Sequence, residues 1–145
     1  MELKETTLKS EMLQHFPLLS EMYPTLTMEE YDRELDVMLP HNYGQVAVYE
    51  NGECVGLSGY WIGSKLWCGK YLECDNVMVS AAHRRKGIAK LIFDYLNKKA
   101  HAEGCTMLAL DSYRDNVQSH EFFIKEGFVA KGFHFINVLD KSKIR

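Results

Sequence analysis

The feature that most constrains this chain is a basic segment between a hydrophobic stretch and an amphipathic helix. The stretch ends at Val77-Met78-Val79, four cationic or potentially cationic side chains follow at His83-Arg84-Arg85-Lys86, and Gly87-Ile88-Ala89 opens the helix. A helix N-terminus carries partial positive charge and favours acidic residues, so these cations are unfavourable there by themselves. A bound anion that also used the free backbone N–H groups would relieve the conflict. The segment therefore predicts a phosphate-binding turn between a strand and a helix.

The spacing within this turn excludes two common phosphate-binding loops. The chain has neither GxxxxGK(S/T) nor GxGxxG. The pattern Arg84-x-x-Gly87-x-Ala89 resembles the acyl-CoA pyrophosphate loop of the GNAT N-acetyltransferase superfamily, (Arg/Gln)-x-x-Gly-x-(Gly/Ala). The alternative explanation is that these basic side chains at the start of the helix are simply exposed to solvent and bind no anion. The resemblance implies that acetyl-CoA binds through Arg84, Arg85, Lys86, Gly87, Ile88 and Ala89.

A second motif lies downstream, Asn116-x-x-Ser119-x-x-Phe122-Phe123-x-Lys125-x-Gly127-Phe128. It resembles the GNAT pattern Asn-x-x-Ala-x-x-Phe-Tyr-x-Lys-x-Gly-Phe. The resemblance implies that Asn116 binds the far end of pantetheine and that Phe123 borders the cofactor. Many relatives have a tyrosine at position 123, whose hydroxyl can protonate the departing CoA thiolate. That hydroxyl is absent here.

The strand before the basic turn carries two carboxylates. Strict alternation along residues 71–79 predicts one face that comprises Tyr71, Glu73, Asp75, Val77 and Val79. Two partly buried carboxylates on one face would raise each other's pKa towards the range of a general base.

The resemblance implies specific roles for this strand. Glu73 falls where some GNAT enzymes carry a glutamate base, and Asp75 falls where others carry an acid that acts directly or through water. We favour Glu73 slightly, while solvent exposure or recognition of a cationic substrate remain the alternatives. The backbone of Val77, Met78 and Val79 would pair with pantetheine as a pseudo-strand and polarise the thioester carbonyl.

Periodicity along the chain predicts an α/β fold. Helices are predicted at Ser10–Met22 (bent at Pro17), after a Thr27 capping box to about Leu39, at Gly87–Ala102 and at Ser119–Glu126. Strands are predicted at Gln45–Tyr49, Cys54–Ile62, Lys70–Val79 and Met107–Asp111, with one or two more within Phe128–Leu139. With the GNAT resemblance, this order predicts an α/β sandwich with a mixed central sheet of about six or seven strands and about four helices.

The length of 145 residues fits a single domain, with a helical acceptor-side region at 1–44 and a sheet and acyl-CoA-binding core at 45–139. A net charge of −3 argues against a general nucleic-acid binder. No apolar run suits a membrane span, and the mixed-charge start lacks a signal-peptide core, so we expect a cytoplasmic protein. The four cysteines lack metal-ligand spacing, and we expect no metal.

These observations favour an N-acetyltransferase that transfers acetyl from acetyl-CoA directly to a primary amine in a ternary complex. Aromatic residues such as Tyr23, Tyr43, Tyr60 and Trp61 would line the acceptor site, and we favour a small amine over a protein amine. A catalytically weak acyl-CoA sensor or interaction module of the same fold is the alternative, because the residue at 123 is not tyrosine. Pairing of Gly132–Leu139 across a homodimer is compatible with the sequence.

Overall fold

The computed structural model describes residues 1–145 and contains two compact units, Met1–Leu110 and Asp111–Arg145. The first unit contains one sheet, whose strands follow each other in chain order. The first four strands are antiparallel to their neighbours, and β5 runs parallel to β4. The strands are β1 (Glu2–Thr6), β2 (Tyr43–Glu50), β3 (Glu53–Lys65), β4 (Gly69–Val79) and β5 (Met107–Leu110). The α/β class with a mixed sheet is confirmed.

The helices of the first unit are α1 (Lys9–Met12), α2 (Phe16–Met22), α3 (Met28–Met38) and α4 (Ile88–Ala102), and the second unit contains α5 (Val117–Lys125). The predicted N-terminal helix is divided by a 3-10 turn just before Pro17, which lies in the first turn of α2, where a proline needs no N–H partner. The capping box of α3 is confirmed: Thr27 Oγ1 accepts from the Glu30 N–H at 3.1 Å. The helices do not combine the length and the hydropathy that a membrane span requires.

The two faces of the sheet pack against different helices. On one face, α4 lies so close that a Cβ added to Gly56 would be 2.3 Å from Ile88 Cγ2. On the other face, α1 to α3 bury a core with β2, β3 and β4 that includes Met12, Leu35 and Leu57. The sheet therefore separates an α4 side from an acceptor side, the latter named for the predicted role of residues 1–44.

Strand β1 was not expected from the sequence. Its five residues pair antiparallel with β2, from Glu2 opposite Tyr49 to Thr6 opposite Gln45. Charged residues on an edge strand protect it from pairing with other chains, but they also remove the hydrophobic alternation that reveals a strand. The mixed charge at the N-terminus therefore concealed an element of the sheet.

The prediction of six or seven strands is wrong, since the structure has five. The missing ones were placed within Phe128–Leu139, where the structure has no strand. Phe133, Phe135 and Leu139 are 87%, 89% and 94% exposed. An apolar pattern indicates strand propensity, but a strand also needs a neighbour with which to exchange backbone hydrogen bonds.

Candidate active site

Strand β4 contains a β-bulge near its C-terminal end. One residue of β3, Ser58, lies opposite two residues of β4, Asn76 and Val77. Asn76 has a φ of 54°, a left-handed conformation that asparagine tolerates better than most residues. The extra residue shifts the alternation, so Met78 enters the acceptor-side core and Val79 turns to the α4 side. The expectation that Val79 shares a face with the two carboxylates is therefore wrong.

Strands β4 and β5 pair along only part of β4. Their register runs from Tyr71 opposite Met107 to Cys74 opposite Leu110, where β5 ends. Strand β4 continues to Val79 with no strand beside it on that edge. Backbone N–H and C=O groups that point to such an edge are available to an extended ligand. This edge contains the predicted pantetheine-binding segment Val77–Val79.

The basic turn connects this edge to α4. Residues 81–83 form a 3-10 turn, Arg85 has a φ of 63°, and Gly87 has a φ of 77° at the N-cap of α4. No side chain caps the helix, and its first turn has no acidic residue. The N–H of Leu91 makes the first backbone bond, to the Gly87 carbonyl. The N–H groups of Ile88 and Ala89 therefore have no intrahelical partner and suit an anion.

The four basic side chains of the turn have two different environments. Glu50, at the end of β2, lies 3.0 Å from His83 Nε2 and 3.6 Å from Lys86 Nζ. Arg84 and Arg85 are exposed and form no salt bridge. Glu50 thus holds the turn in place through its flanking residues, and the two arginines remain for a bound anion. Sequence reasoning missed Glu50 because it lies on a different element, with no local pattern connecting it to the turn.

The predicted carboxylates lie on the acceptor side of β4. Glu73 and Asp75 are half-buried and pair across the strands with Trp61 and Gly59. The Trp61 indole Nε1–H donates to Asp75 Oδ2 at 3.0 Å, so the indole orients this carboxylate. The Tyr43 ring lies against Trp61, with the ring centroids 4.8 Å apart. The structure therefore groups two carboxylates and two aromatic rings on one face, next to the unpaired edge of β4.

The sequence profile described as the Acetyltransferase (GNAT) family matches residues 8–128 of this chain. The chain belongs to the GNAT family. It is similar to the uncharacterized N-acetyltransferase YhdJ of Bacillus subtilis strain 168, with 27% identity over 137 residues that cover 93% of this chain and 96% of the relative. The resemblance drawn from the two motifs is confirmed.

Solved structures have the same fold as this GNAT chain. An acetyltransferase of Trypanosoma brucei has a TM-score of 0.79 at 24% identity, covering 95% of this chain and 99% of its own. The structure of AAC(6')-Iy, in complex with the bisubstrate analogue CoA-S-monomethyl-acetylneamine, has a TM-score of 0.80 at 15% identity. The match covers 97% of this chain and 99% of the AAC(6')-Iy chain. At these identities the likeness establishes the fold alone.

A buried hydrogen-bond network fixes the acceptor-side helices of this GNAT fold to β2. Gln45 Nε2 donates to the hydroxyls of Tyr31 and Tyr43, at 2.9 and 3.0 Å. Its Oε1 lies 2.7 Å from Nδ1 of His15, which is 1% exposed. Burial lowers the pKa of His15, and burial raises the pKa of Tyr43, so both side chains stay neutral near pH 7. The Tyr43 ring beside Trp61 is therefore held rigidly by neutral partners.

Tyr60 does not belong to the acceptor side, although sequence analysis grouped it with Trp61. Adjacent strand residues face opposite sides, and the Tyr60 hydroxyl donates to Glu5 Oε1 at 2.6 Å. Tyr60 is buried, and the Nζ of Lys99, on α4, lies 5.1 Å from its ring centroid. Tyr60 is thus a core residue on the α4 side.

The remaining predicted cofactor residues lie in the second unit. Asn116 occupies the N-cap position of α5 but its side chain makes no capping hydrogen bond. The Phe123 ring packs edge-on against Phe122 and Phe128, with centroid separations of 6.0 and 6.1 Å. Contacts of Asn116 and Phe123 with acetyl-CoA stay predictions.

An open groove of about 380 Å³ lies between α2 and the turn that joins β2 to β3. None of the predicted site residues lines it; the lining residues are Gln14, Pro17, Leu18, Glu21, Asn51, Gly52, Glu53 and Cys54. Burial raises the pKa of the Cys54 thiol to about 11, so this group is not a thiolate near neutral pH. The groove therefore offers no activated nucleophile, and the candidate chemistry stays at β4.

Proposed function

We propose that this GNAT protein transfers the acetyl group of acetyl-CoA directly to a primary amine in a ternary complex. One observation carries the proposal: the unpaired edge of β4 leads straight into a turn with two arginines free of salt bridges at the N-terminus of α4. An extended pantetheine arm suits such an edge, and a pyrophosphate suits such a helix start. The two features follow each other in the order in which these groups occur in acetyl-CoA.

The residues present fit this cosubstrate. Nothing lies within 4 Å of a Cβ added to Gly87, so phosphate oxygens have room beside the backbone. The pantetheine arm would pair with the backbone of Val77, Met78 and Val79, whereas binding of acetyl-CoA by Asn116 and Phe123 stays a prediction from the family resemblance. The pyrophosphate would bind to the turn through Arg84, Arg85, Lys86, Gly87, Ile88 and Ala89.

The chemistry requires an amine without its proton. Glu73, or Asp75 in the other assignment, takes a proton from the ammonium group of the acceptor, and the amine nitrogen attacks the thioester carbonyl. The backbone N–H of Val77 or a neighbour stabilises the oxyanion that forms on this carbonyl. Collapse of the tetrahedral intermediate releases the CoA thiolate, and loss of the second proton of the attacking nitrogen to solvent leaves the neutral amide. Since Phe123 has no hydroxyl, water or another donor protonates the thiolate, a tolerable step for a thiol of pKa about 8.5.

We assign the acceptor to small cationic amines rather than protein amines. The Trp61 and Tyr43 rings beside Asp75 combine an aromatic face with an anion, which suits an ammonium group. The AAC(6')-Iy complex contains a small-molecule acetylneamine portion, which supports this choice by analogy of fold. A homodimer paired through Gly132–Leu139 stays a prediction.

The test is transfer by the wild-type protein, measured as CoA thiol release and as the acetylated product by mass spectrometry. The panel contains polyamines, aminoglycosides, amino acids and lysine-containing peptides. We expect acetyl-CoA-dependent product on small amines, whereas product on peptides alone would reverse the acceptor class. Acetyl-CoA binding with no product on any amine would favour the sensor, which the absence of tyrosine at position 123 supports.

A further inference from the structure

The C-terminal end of α2 contacts the bulged strand and the basic turn at two points. The hydroxyl of Tyr23, the C-cap residue of α2, donates to Asn76 Oδ1 at 2.5 Å. Two residues earlier, Glu21 Oε2 accepts from the Ala81 backbone N–H at 3.3 Å. These contacts connect the acceptor side to both ends of residues 76–81, the segment that contains the predicted pantetheine-binding strand.

The bulge requires support because Asn76 has left-handed backbone dihedrals. A non-glycine residue in this conformation persists where the surrounding structure holds it. The opposing residue on β3, Ser58, donates its hydroxyl to the Gly59 carbonyl at 2.8 Å. The Ser58 hydroxyl is therefore not donated to Asn76, whereas the hydroxyl of Tyr23, from a helix of the acceptor side, holds the Asn76 side chain.

We propose that Tyr23 is a positioning residue that holds the Asn76 bulge and thereby sets the direction of the backbone N–H groups of Val77–Val79. This inference rests on the proposed function, since it assigns those N–H groups to pantetheine and the thioester carbonyl. The Tyr23 bond also connects a helix of the acceptor side directly to the strand that would present acetyl-CoA.

The structure provides matched variants for a test. Tyr23→Phe removes only the hydroxyl that bonds Asn76. Tyr31→Phe removes a hydroxyl on the same side of the sheet, which donates to the Met12 carbonyl at 2.8 Å, accepts from Gln45 and makes no hydrogen bond to β4. Asn76→Gly removes the side-chain acceptor but keeps a residue that adopts positive φ without support. The three variants separate loss of stability from loss of bulge geometry.

The primary measurement is hydrogen exchange of residues 76–81, with and without acetyl-CoA. We expect Tyr23→Phe to accelerate exchange of this segment roughly tenfold, the effect of losing one hydrogen bond, and to weaken its protection by acetyl-CoA. Tyr31→Phe should leave the segment unchanged while lowering overall stability. Equal exchange in Tyr23→Phe and wild type would overturn the proposal. Hydrogen exchange does not require turnover. Failure of this test can therefore be distinguished from failure of the proposed function, which the wild-type transfer assay tests.

Kinetics then test the positioning role. Tyr23→Phe should lower kcat more than it raises the KM for acetyl-CoA, because the pyrophosphate turn keeps its arginines. Adding Tyr23→Phe to Asn76→Gly should produce no further loss, since the bond is already absent. Full additivity of the two substitutions, or an unchanged kcat in Tyr23→Phe, would show that the bond is structural only.

Discussion

Glu73 and Asp75 lie on one face of β4, and their surroundings differ. The Trp61 indole fixes one oxygen of Asp75, which suits a carboxylate that holds an ammonium group in a constant position. Glu73 lies two residues further from the bulge, opposite Trp61. The sequence placed both residues correctly on one face, but the indole contact was not predictable because it crosses between strands. The same holds for Glu50, which supports the basic turn from β2.

The first prediction separates the two carboxylates. Glu73→Gln should lower kcat by about 10²- to 10⁴-fold near neutral pH, the range for loss of a general base, with little change in acetyl-CoA affinity. Asp75→Asn should mainly raise the KM for the amine. Steady-state kinetics with both substrates varied would measure this. The reverse pattern would make Asp75 the base, and unchanged kinetics in Glu73→Gln would remove Glu73 from the mechanism.

Among the elements, those with strong local signals were predicted and those defined by their neighbours were not. The Thr27 capping box and the Gly87 helix start both appear as expected, because each depends on adjacent residues. The bulge at Asn76 depends on the register with β3, which no local pattern reveals. Strand β1 depends on β2 and on a salt bridge to α4. Its Glu5 lies 2.6 Å from Lys99 Nζ.

Glu5 gives strand β1 a testable pH dependence. Burial alone would raise the pKa of Glu5, but hydrogen bonds from Lys99, Tyr60 and Tyr95 outweigh it and hold the pKa below its usual value of 4.5. As the pH falls, Glu5 is therefore protonated at a higher pH in the unfolded chain than in the folded protein. The stabilisation by Glu5 is present above about pH 4.5 and is lost as the pH falls through the folded pKa.

The corresponding variant is Glu5→Gln, which removes the charge and keeps the size. Its melting temperature at pH 7 should be roughly 3–6 °C below that of the wild type, and the difference should shrink as the pH falls below about 4.5. Lys4→Gln, on the same strand and exposed, is the control and should change little. A difference in melting temperature between Glu5→Gln and wild type that stayed constant down to acid pH would contradict the charge-based account of β1.

For the molecule as a whole, the sequence predicted the α/β order and the GNAT family but overestimated the number of strands. The order follows from hydrophobic periodicity, and the family follows from two spaced motifs that the profile match over residues 8–128 confirms. The number of strands cannot be predicted without knowing which segments pair with each other, and the apolar residues of Phe128–Leu139 have no strand beside them. The proposed acetyl-CoA site has two parts. The basic turn has a local motif that the sequence shows, whereas the partial pairing of β4 with β5 is seen only in the structure.

The most direct measurement is calorimetric titration of acetyl-CoA into wild type and Arg84→Ala/Arg85→Ala, with Arg33→Ala/Lys98→Ala as the control. The control removes the same charge from exposed positions on α3 and α4, outside the turn. We predict low-micromolar binding by wild type and control, weakened roughly 10- to 100-fold in the arginine pair through loss of charge-assisted phosphate contacts. Equal affinity in all three proteins, or no binding by folded wild type, would contradict the assignment of this turn to the acyl-CoA pyrophosphate.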